Sequence, residues 1–413
     1  MSSPIGSSAP QHSVIPEPSA QSLYNSATEF AKKNNWVKAL PLYTQAADQG
    51  LSYALCRLAL CYQTGKGVPL DLNKASKLFR QLIAQDPSHT SARWNLEYCH
   101  TLLEKQKTDS LRIVASEGQP QAQFDLGACY QNGIGVDKDL SQAAKFYQLA
   151  VNQEHSTAQV ALGFLYQKGM GVDKDLSQAV KLYQLAVTQK NPEGYVALGA
   201  CYENARGVNK DLSQAVHLYQ LAVTQKNPEG YIALGACYEN ARGVDKDLSQ
   251  AANFYQLAVN QGHSTAQVAL GILYQTGRGV DQDLSQAVKL YRLAIIQKNP
   301  EGHVALGLCY QTGSGVDQDL TQAVKLYRLA LDLGDPQGFL ELGLLYQKGI
   351  DVDQDFEKSA RFFQIAAERG LASAQYQLGC CYRDGTGVIK DVNRATELYK
   401  LAAKNGHPRA MEA

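Results

Sequence analysis

The chain holds 413 residues in which 39 Lys and Arg balance 39 Asp and Glu, so its net charge is zero. That balance gives no long-range pull on nucleic acid or on an anionic membrane surface, and no run of 18 apolar residues offers a membrane-spanning helix. Single cores stop growing near about 250 to 300 residues, so a chain of this length must divide or extend by repetition.

Residues 1–21, MSSPIGSSAPQHSVIPEPSAQ, contain no Lys or Arg and no apolar run of seven. They read as a disordered Ser/Pro-rich tail without a secretory signal or transit peptide. Residues 22–50 give two amphipathic segments, Leu23 to Lys33 and Trp36 to Gln49, joined at Asn34-Asn35 as a helix hairpin. Residues 51–87 form a first full unit, with CRLALCYQTGKGVPLDLNKASKLF matching the later pattern. Residues 88–119 read as a second short hairpin anchored on Trp94, Leu96, Leu102 and Leu103.

From residue 120 to 406 the chain repeats strictly, in eight units of 36 residues, and a short tail covers 407–413. NPEGYVALGACYENARGVNKDLSQAVHLYQLAVTQK from Asn191 is followed at once by NPEGYIALGACYENARGVDKDLSQAANFYQLAVNQ. A period of this length marks a solenoid of supersecondary units, each too small to bury its apolar face alone. The expected fold is therefore all-α, an α-solenoid of antiparallel helix pairs with about 11 hairpins.

Each unit carries a glycine in the middle of its first helix, helix A, from Gly127 and Gly163 on to Gly379. Mid-helix glycine costs about 1 kcal/mol relative to alanine, so its recurrence implies an approach too close for a β-carbon. Helix A ends in a turn such as Gly133-Ile134-Gly135-Val136, where glycine supplies a left-handed cap. A phosphate loop needs GxGxxG between a strand and a helix; here GxGV joins two helices. Ala205 and Ala241 replace the first glycine and Asp351 the second, and the turn should survive there. Helix B opens with Asp-Leu-Ser-Gln, as at Asp139 to Gln142, the spacing of a capping box. A block beginning at Ala150 recurs from Ala258, an offset of 108 residues or three units.

Cys129, Cys201, Cys237, Cys309 and Cys381 occupy one repeat position that Leu165, Leu273 and Leu345 fill elsewhere. Exchange of Cys with Leu marks a buried apolar site. Units stacked roughly 10 Å apart exceed the roughly 7 Å disulfide limit, so reduced thiols and a cytoplasmic location are expected, with export as an effector lacking a classical signal peptide as the alternative.

Ala158-Gln159, Leu162-Gly163, Tyr166, Gly169, Gly171-Val172, Asp175, Ala179, Tyr183 and Ala186 carry a pattern that resembles the Sel-one-like repeat (SLR) family, relatives of the tetratricopeptide repeats. The match covers about Ser52 to Ala84 and Pro120 to Gly406, while the two short hairpins look more like plain tetratricopeptide units. The resemblance implies a right-handed superhelix acting as an adaptor for other proteins. Secreted cysteine-rich members of the family pair a cysteine of helix A with one of helix B and are associated with β-lactam binding. Here Ala186-Val187 and Ala222-Val223 stand where that second Cys would be, so neither feature carries over, and a β-lactamase-like protein is a minor alternative.

In tetratricopeptide-like stacks helix A builds the concave face. Four residues past the glycine lies a candidate partner-binding row: Gln131, Gln167, Glu203, Glu239, Gln275, Gln311, Gln347 and Arg383, with Asn204 and Asn240 beside it. Amides and carboxylates repeated at one-unit spacing could bond the backbone of an extended peptide. Tyr195, Tyr231 and Phe339 are candidate aromatic hot spots in a more variable row.

None of the eight histidines sits in HExxH or at zinc spacing, and Cys380-Cys381 is adjacent, not CxxC. A catalytic site needs one unique constellation, whereas nearly every polar motif here recurs. The expectation is a non-enzymatic scaffold without cofactor or metal, binding a protein or peptide, or else a regulatory subunit that activates an enzyme in trans. The sequence leaves the oligomeric state open.

Overall fold

A computed structural model describes residues 18–411. The chain divides into two compact units between Lys174 and Asp175, and among the described residues it is helical, without strands. The first unit runs α1 (Ala20–Lys32), α2 (Trp36–Asp48), α3 (Ser52–Thr64), α4 (Leu72–Gln85), α5 (Thr90–Ser116), α6 (Pro120–Asn132), α7 (Leu140–Val151) and α8 (Ser156–Lys168). The second runs α9 (Leu176–Thr188), α10 (Pro192–Glu203), α11 (Leu212–Thr224), α12 (Pro228–Asn240), α13 (Leu248–Asn260), α14 (Ser264–Thr276) and α15 (Leu284–Ile296). It continues through α16 (Pro300–Thr312), α17 (Leu320–Asp332), α18 (Pro336–Lys348), α19 (Phe356–Glu368), α20 (Ala372–Asp384), α21 (Val392–Lys404) and the short α22 (Pro408–Met411). Within each unit the strong contacts join helices one or two places apart in the chain. That is the signature of stacked helix pairs, each sheltering its apolar side against its neighbours.

One pair shows how the sequence dictates this. Asp283, extended at φ −141°, accepts from the N–H of Gln286 at 2.8 Å and so starts α15. A carboxylate there satisfies an orphan donor at the positive end of the helix dipole. The reciprocal half of the expected capping box does not form, because the Asp283 N–H already donates to the Tyr274 carbonyl at 3.0 Å. The same bond ties helix A to helix B from Asp211 to Asp391, at 2.9 to 3.0 Å.

The pair's interior is set by an aromatic ring. A β-carbon on Gly271 would lie 2.5 Å from Cε1 of Tyr291, whose ring is fully buried between α14, α15 and α16 with Val268, Leu306 and Cys309. What excludes a side chain at the mid-helix glycine is thus a ring of helix B, more than a neighbouring backbone. The turns follow the expected logic: Ala205, Ala241 and Asp351 keep left-handed φ values of 54°, 55° and 55°. Gly315, at φ +76°, brings main chain against main chain, since a β-carbon there would sit 2.6 Å from the carbonyl oxygen of Leu284, the first residue of the preceding helix B. All nine cysteines are free thiols, and burial pushes Cys201, Cys237 and Cys309 up to about 11.

The structure corrects the reading of the first unit in two places. Residues 88–119 are not a hairpin: α5 runs unbroken for 27 residues, because no glycine or proline interrupts Thr90 to Ser116. Its first half packs on α4 through Ala92 and Cys99, its second on α6 through Ala115. Trp94, expected as an anchor, is exposed and stacked on Tyr98 at 5.5 Å. The expected tail 1–21 lies outside the described residues as far as residue 17; its last two residues, Ala20 and Gln21, already belong to α1, capped by Ser19. In the expected C-terminal tail, Pro408 to Met411 form α22.

Candidate partner-binding face

Helix A of each regular pair presents one polar side chain four residues beyond its central glycine. Gln131 and Gln167 of the first unit and Glu203, Glu239, Gln275, Gln311 and Gln347 of the second are all half-buried. Most are held from beneath by the tyrosine of helix B. Tyr147 donates to Gln131 Oε1 at 2.7 Å, Tyr219 to Glu203 at 2.8 Å and Tyr255 to Glu239 at 2.7 Å. Tyr291 donates to Gln275 Oε1 at 2.7 Å and Tyr327 to Gln311 Oε1 at 2.6 Å.

Glu203 and Glu239 fix the direction of these bonds. A carboxylate has no proton to give, so the phenol must donate. At the glutamines the side-chain carbonyl oxygen takes the phenol proton, so the bond to the ring does not use the amide N–H groups. The arrangement ends at the last two pairs. Phe363 offers Gln347 no hydroxyl; Arg383 cannot accept, and Tyr399 turns instead to Cys380 Sγ at 3.5 Å. Arg383 is exposed and holds Asp384 through two bonds of 2.8 Å, which keeps that carboxyl below its usual range.

Burial pushes the Tyr147 phenol up to about 12. At Tyr219 and Tyr255 burial acts first and the bonded carboxylate adds to it, so both ionise far above the ordinary phenol range. Arg242, in the turn after α12, forms an ion pair with Glu203 of the preceding pair. Asn204 and Asn240 are exposed, and each spends its amide on the carbonyl four residues back, Ala200 at 2.9 Å and Ala236 at 3.0 Å.

Apolar side chains share this face. Ile272 and Leu308 are 41% and 39% exposed and stand three residues before Gln275 and Gln311, hence on the same side of the helix. Phe164 holds the equivalent place in the first unit and is 41% exposed. Beside Glu203 and Glu239 that place is taken by the small Ala200 and Ala236.

Tyr195, Tyr231 and Phe339 do not join the face: they are 7%, 6% and 6% exposed. Tyr231 packs among Val223, Phe254, Ala258 and Ala266. Phe339 lies in the core with Phe363 and Ala366, under the Arg369 guanidinium at 4.6 Å. The polar residues that replace them elsewhere are buried too, Gln123 and Gln375 donating to the carbonyls of Ala115 and Ala367. The whole row is core, and these three aromatics leave the candidate site.

The tyrosine bonds and Arg242 were not anticipated from sequence. The available signal was a fixed spacing: a Glu or Gln sits 16 residues before each bonding Tyr. Among the described residues, no three His, Cys, Asp or Glu side chains gather as a metal site, and no helix is long and apolar enough to cross a membrane.

The chain is similar to DAP3-binding cell death enhancer 1 of Mus musculus, at 30% identity over 165 residues, covering 30% of this chain and 32% of that protein. It is also similar to the chitin synthase regulator SKT5 of Saccharomyces cerevisiae, at 30% identity over 28% of this chain and 18% of the relative. The chain thus spans a third or less of the length of these relatives. Among solved structures, c5321, a protective antigen of uropathogenic Escherichia coli with an SLR fold, superposes with a TM-score of 0.53 at 26% identity, covering 95% of this chain and 86% of the other. The Sel1 repeat pattern matches residues 32–51 and 52–87, six consecutive windows from 120 to 335, then 340–371 and 372–407. Ten matches over most of its length place the chain in the Sel1 repeat family.

Proposed function

We propose that this chain is a scaffold that binds a protein or peptide along the helix A face of its second unit, through the row from Glu203 to Gln347; Gln131 and Gln167 form the corresponding row of the first unit, taken by itself. Sel1 repeat proteins mediate protein–protein interaction. The observation that carries the reading is the pairing, at one-unit spacing, of the half-buried Gln275 and Gln311 with exposed Ile272 and Leu308. Exposed apolar side chains flanked by polar groups mark interaction surfaces more often than isolated ones do. A photo-crosslinking amino acid placed at Ile272 or Leu308 of the full chain should yield adducts with a partner in cells, while the same probe at exposed Lys289 on helix B should not. Adducts at Lys289 alone would move the binding surface to the other helix. A second reading, regulation of an enzyme in trans, is favoured by the likeness to a chitin synthase regulator. It predicts that an enzyme captured at Ile272 changes its rate when the chain is added.

A further inference from the structure

We propose that the chain pairs with a second copy of itself along α5, the two helices lying antiparallel so that the first half of one packs on the second half of the other.

α5 is a helix pair that has lost its turn. His89 accepts from the Ala92 N–H at 3.2 Å, as His155 at the start of α8 accepts from Ala158 at 3.1 Å. Cys99 follows Ala92 at the spacing of Leu165 after Ala158, and all four are fully buried. The first half of α5 is thus a helix A. A β-carbon on Gly135 would lie 2.5 Å from the Glu104 carbonyl oxygen, as one on Gly171 would lie 2.3 Å from that of Leu140, the first residue of a helix B. Gln123 donates to the Ala115 carbonyl at 3.3 Å, the bond Gln375 makes to Ala367 of α19 at 3.2 Å. The second half, from Glu104, is thus a helix B. Leu103 alone stands where the segment Gly169 to Asp175 reverses the chain after α8. A continuous helix reverses nothing, so the two halves cannot pack on each other within one chain. Loss of a hinge turn is a known route to exchange between copies.

Each half leaves open a face that its counterparts cover. Trp94 holds the place of Val268, which is 4% exposed and shares a core cluster with Ala287, Tyr291 and Ala294 of its own helix B; Trp94 is 64% exposed. Val114 holds the place of Ala294, which is fully buried, and is 40% exposed. An open groove of about 530 Å³ between the second half of α5 and α6 is lined by Lys107, Leu111, Val114, Asp125 and Cys129. It lies where a helix A would run beside the next one, as α14 runs beside α16. An antiparallel second copy lays its Trp94 half along this groove and receives the same in return, continuing the chain's own helix A to helix B contact.

Charge follows the same register. A β-carbon on Gly127 would lie 2.6 Å from the Tyr147 ring and 3.2 Å from the Ala143 carbonyl oxygen. The counterparts of Gly127, Tyr147 and Ala143 in α5 are Glu97, Leu111 and Lys107. Glutamate replaces the glycine only where lysine replaces the alanine. Both are exposed, and the ion pairs among the described residues include neither. Across the pair, Glu97 of each copy meets the partner's Lys107, twice by symmetry, and opposite charges so placed fix register. Of the other charges on the second half, Arg112 and Asp109 pair with each other, and Glu104, near the two-fold axis, stands beside Lys105.

Light scattering after gel filtration of the full chain at micromolar concentration should read twice the 45.1 kDa of one chain. Glu97→Lys sets like charges face to face at two places, as does Lys107→Glu, and each should raise the dimer dissociation constant about 100-fold or more. The double exchange restores both pairs and should return the constant to near the wild-type value. Both side chains are exposed, so circular dichroism of the variants should match wild type. Replacing Leu103 by the segment Gly169 to Asp175 returns the hinge and should yield monomers. A monomeric wild type, a dimer indifferent to both single reversals, losses that the double exchange does not repair, or a dimer that survives the restored turn would each overturn the pairing.

Discussion

Gly271→Ala separates two physical arguments that differ in sign. Helix propensity alone favours alanine by about 1 kcal/mol in the middle of α14. The geometry opposes it, since the new β-carbon would lie 2.5 Å from the Tyr291 ring, about 0.9 Å inside ordinary contact at 3.4 Å. That ring is 0% exposed and its hydroxyl is bonded to Gln275 at 2.7 Å, so it cannot retreat without losing a bond. Overpacking costs about 1 to 3 kcal/mol and the lost bond about 1 kcal/mol. After the propensity gain, the variant should be destabilised by about 1 to 3 kcal/mol. Solenoid stability is carried by nearest neighbours, so the loss should concentrate in α14, α15 and α16. Hydrogen exchange with mass spectrometry would read it as roughly 5- to 150-fold faster exchange there. Adding Tyr291→Leu should make Gly271→Ala neutral or favourable. Equal or greater protection in the single variant would refute the ring as the reason for the glycine.

Ala241→Gly should raise stability by about 0.5 to 1 kcal/mol, because the left-handed φ of 55° costs an L-residue about 1 to 2 kcal/mol and the added freedom of the unfolded glycine returns part of that; chemical denaturation would register no gain if the turn is unstrained. Stability should also fall in alkali. Burial raises Tyr147 from 10.0 to about 12 and Cys201, Cys237 and Cys309 from 9.0 to about 11. The unfolded state therefore releases these protons first, so their stabilisation is complete below pH 9 and lost progressively as the pH climbs towards 12. Melting temperatures should hold steady from pH 7 to about 9 and then decline; a flat profile to about pH 11 would contradict the burial assigned to these groups.

The features legible in the sequence are those whose causes lie within a few residues. Asp283 capping α15, Ala241 holding a glycine's turn and the 36-residue period all follow from local rules applied repeatedly. The continuity of α5 was equally local, since the absence of Gly and Pro from Thr90 to Ser116 already argued for one helix. The repeat expectation overrode it. The candidate face was half legible. Periodicity located Glu203 through Gln347, but the phenols that hold Glu203 to Gln311 come from helix B, 16 residues further on, beyond the reach of a rule for a single helix. The aromatic row misled for a different reason. Gln, Tyr, His and Phe exchanging at one position suggest a surface, yet a carbonyl such as that of Ala115 lets a buried glutamine stand in for a ring.

The contact of Gly315 with the Leu284 carbonyl bears on how such a chain can lengthen. A seam formed between peptide groups has the same outline whichever side chains decorate the rest of the pair. A cassette spliced in at that seam meets a surface it already fits, with no compensating changes required on either flank. The 108-residue offset between Ala150 and Ala258 is the trace such copying would leave, and later divergence is then free to accumulate on the open face while the joints stay as they were.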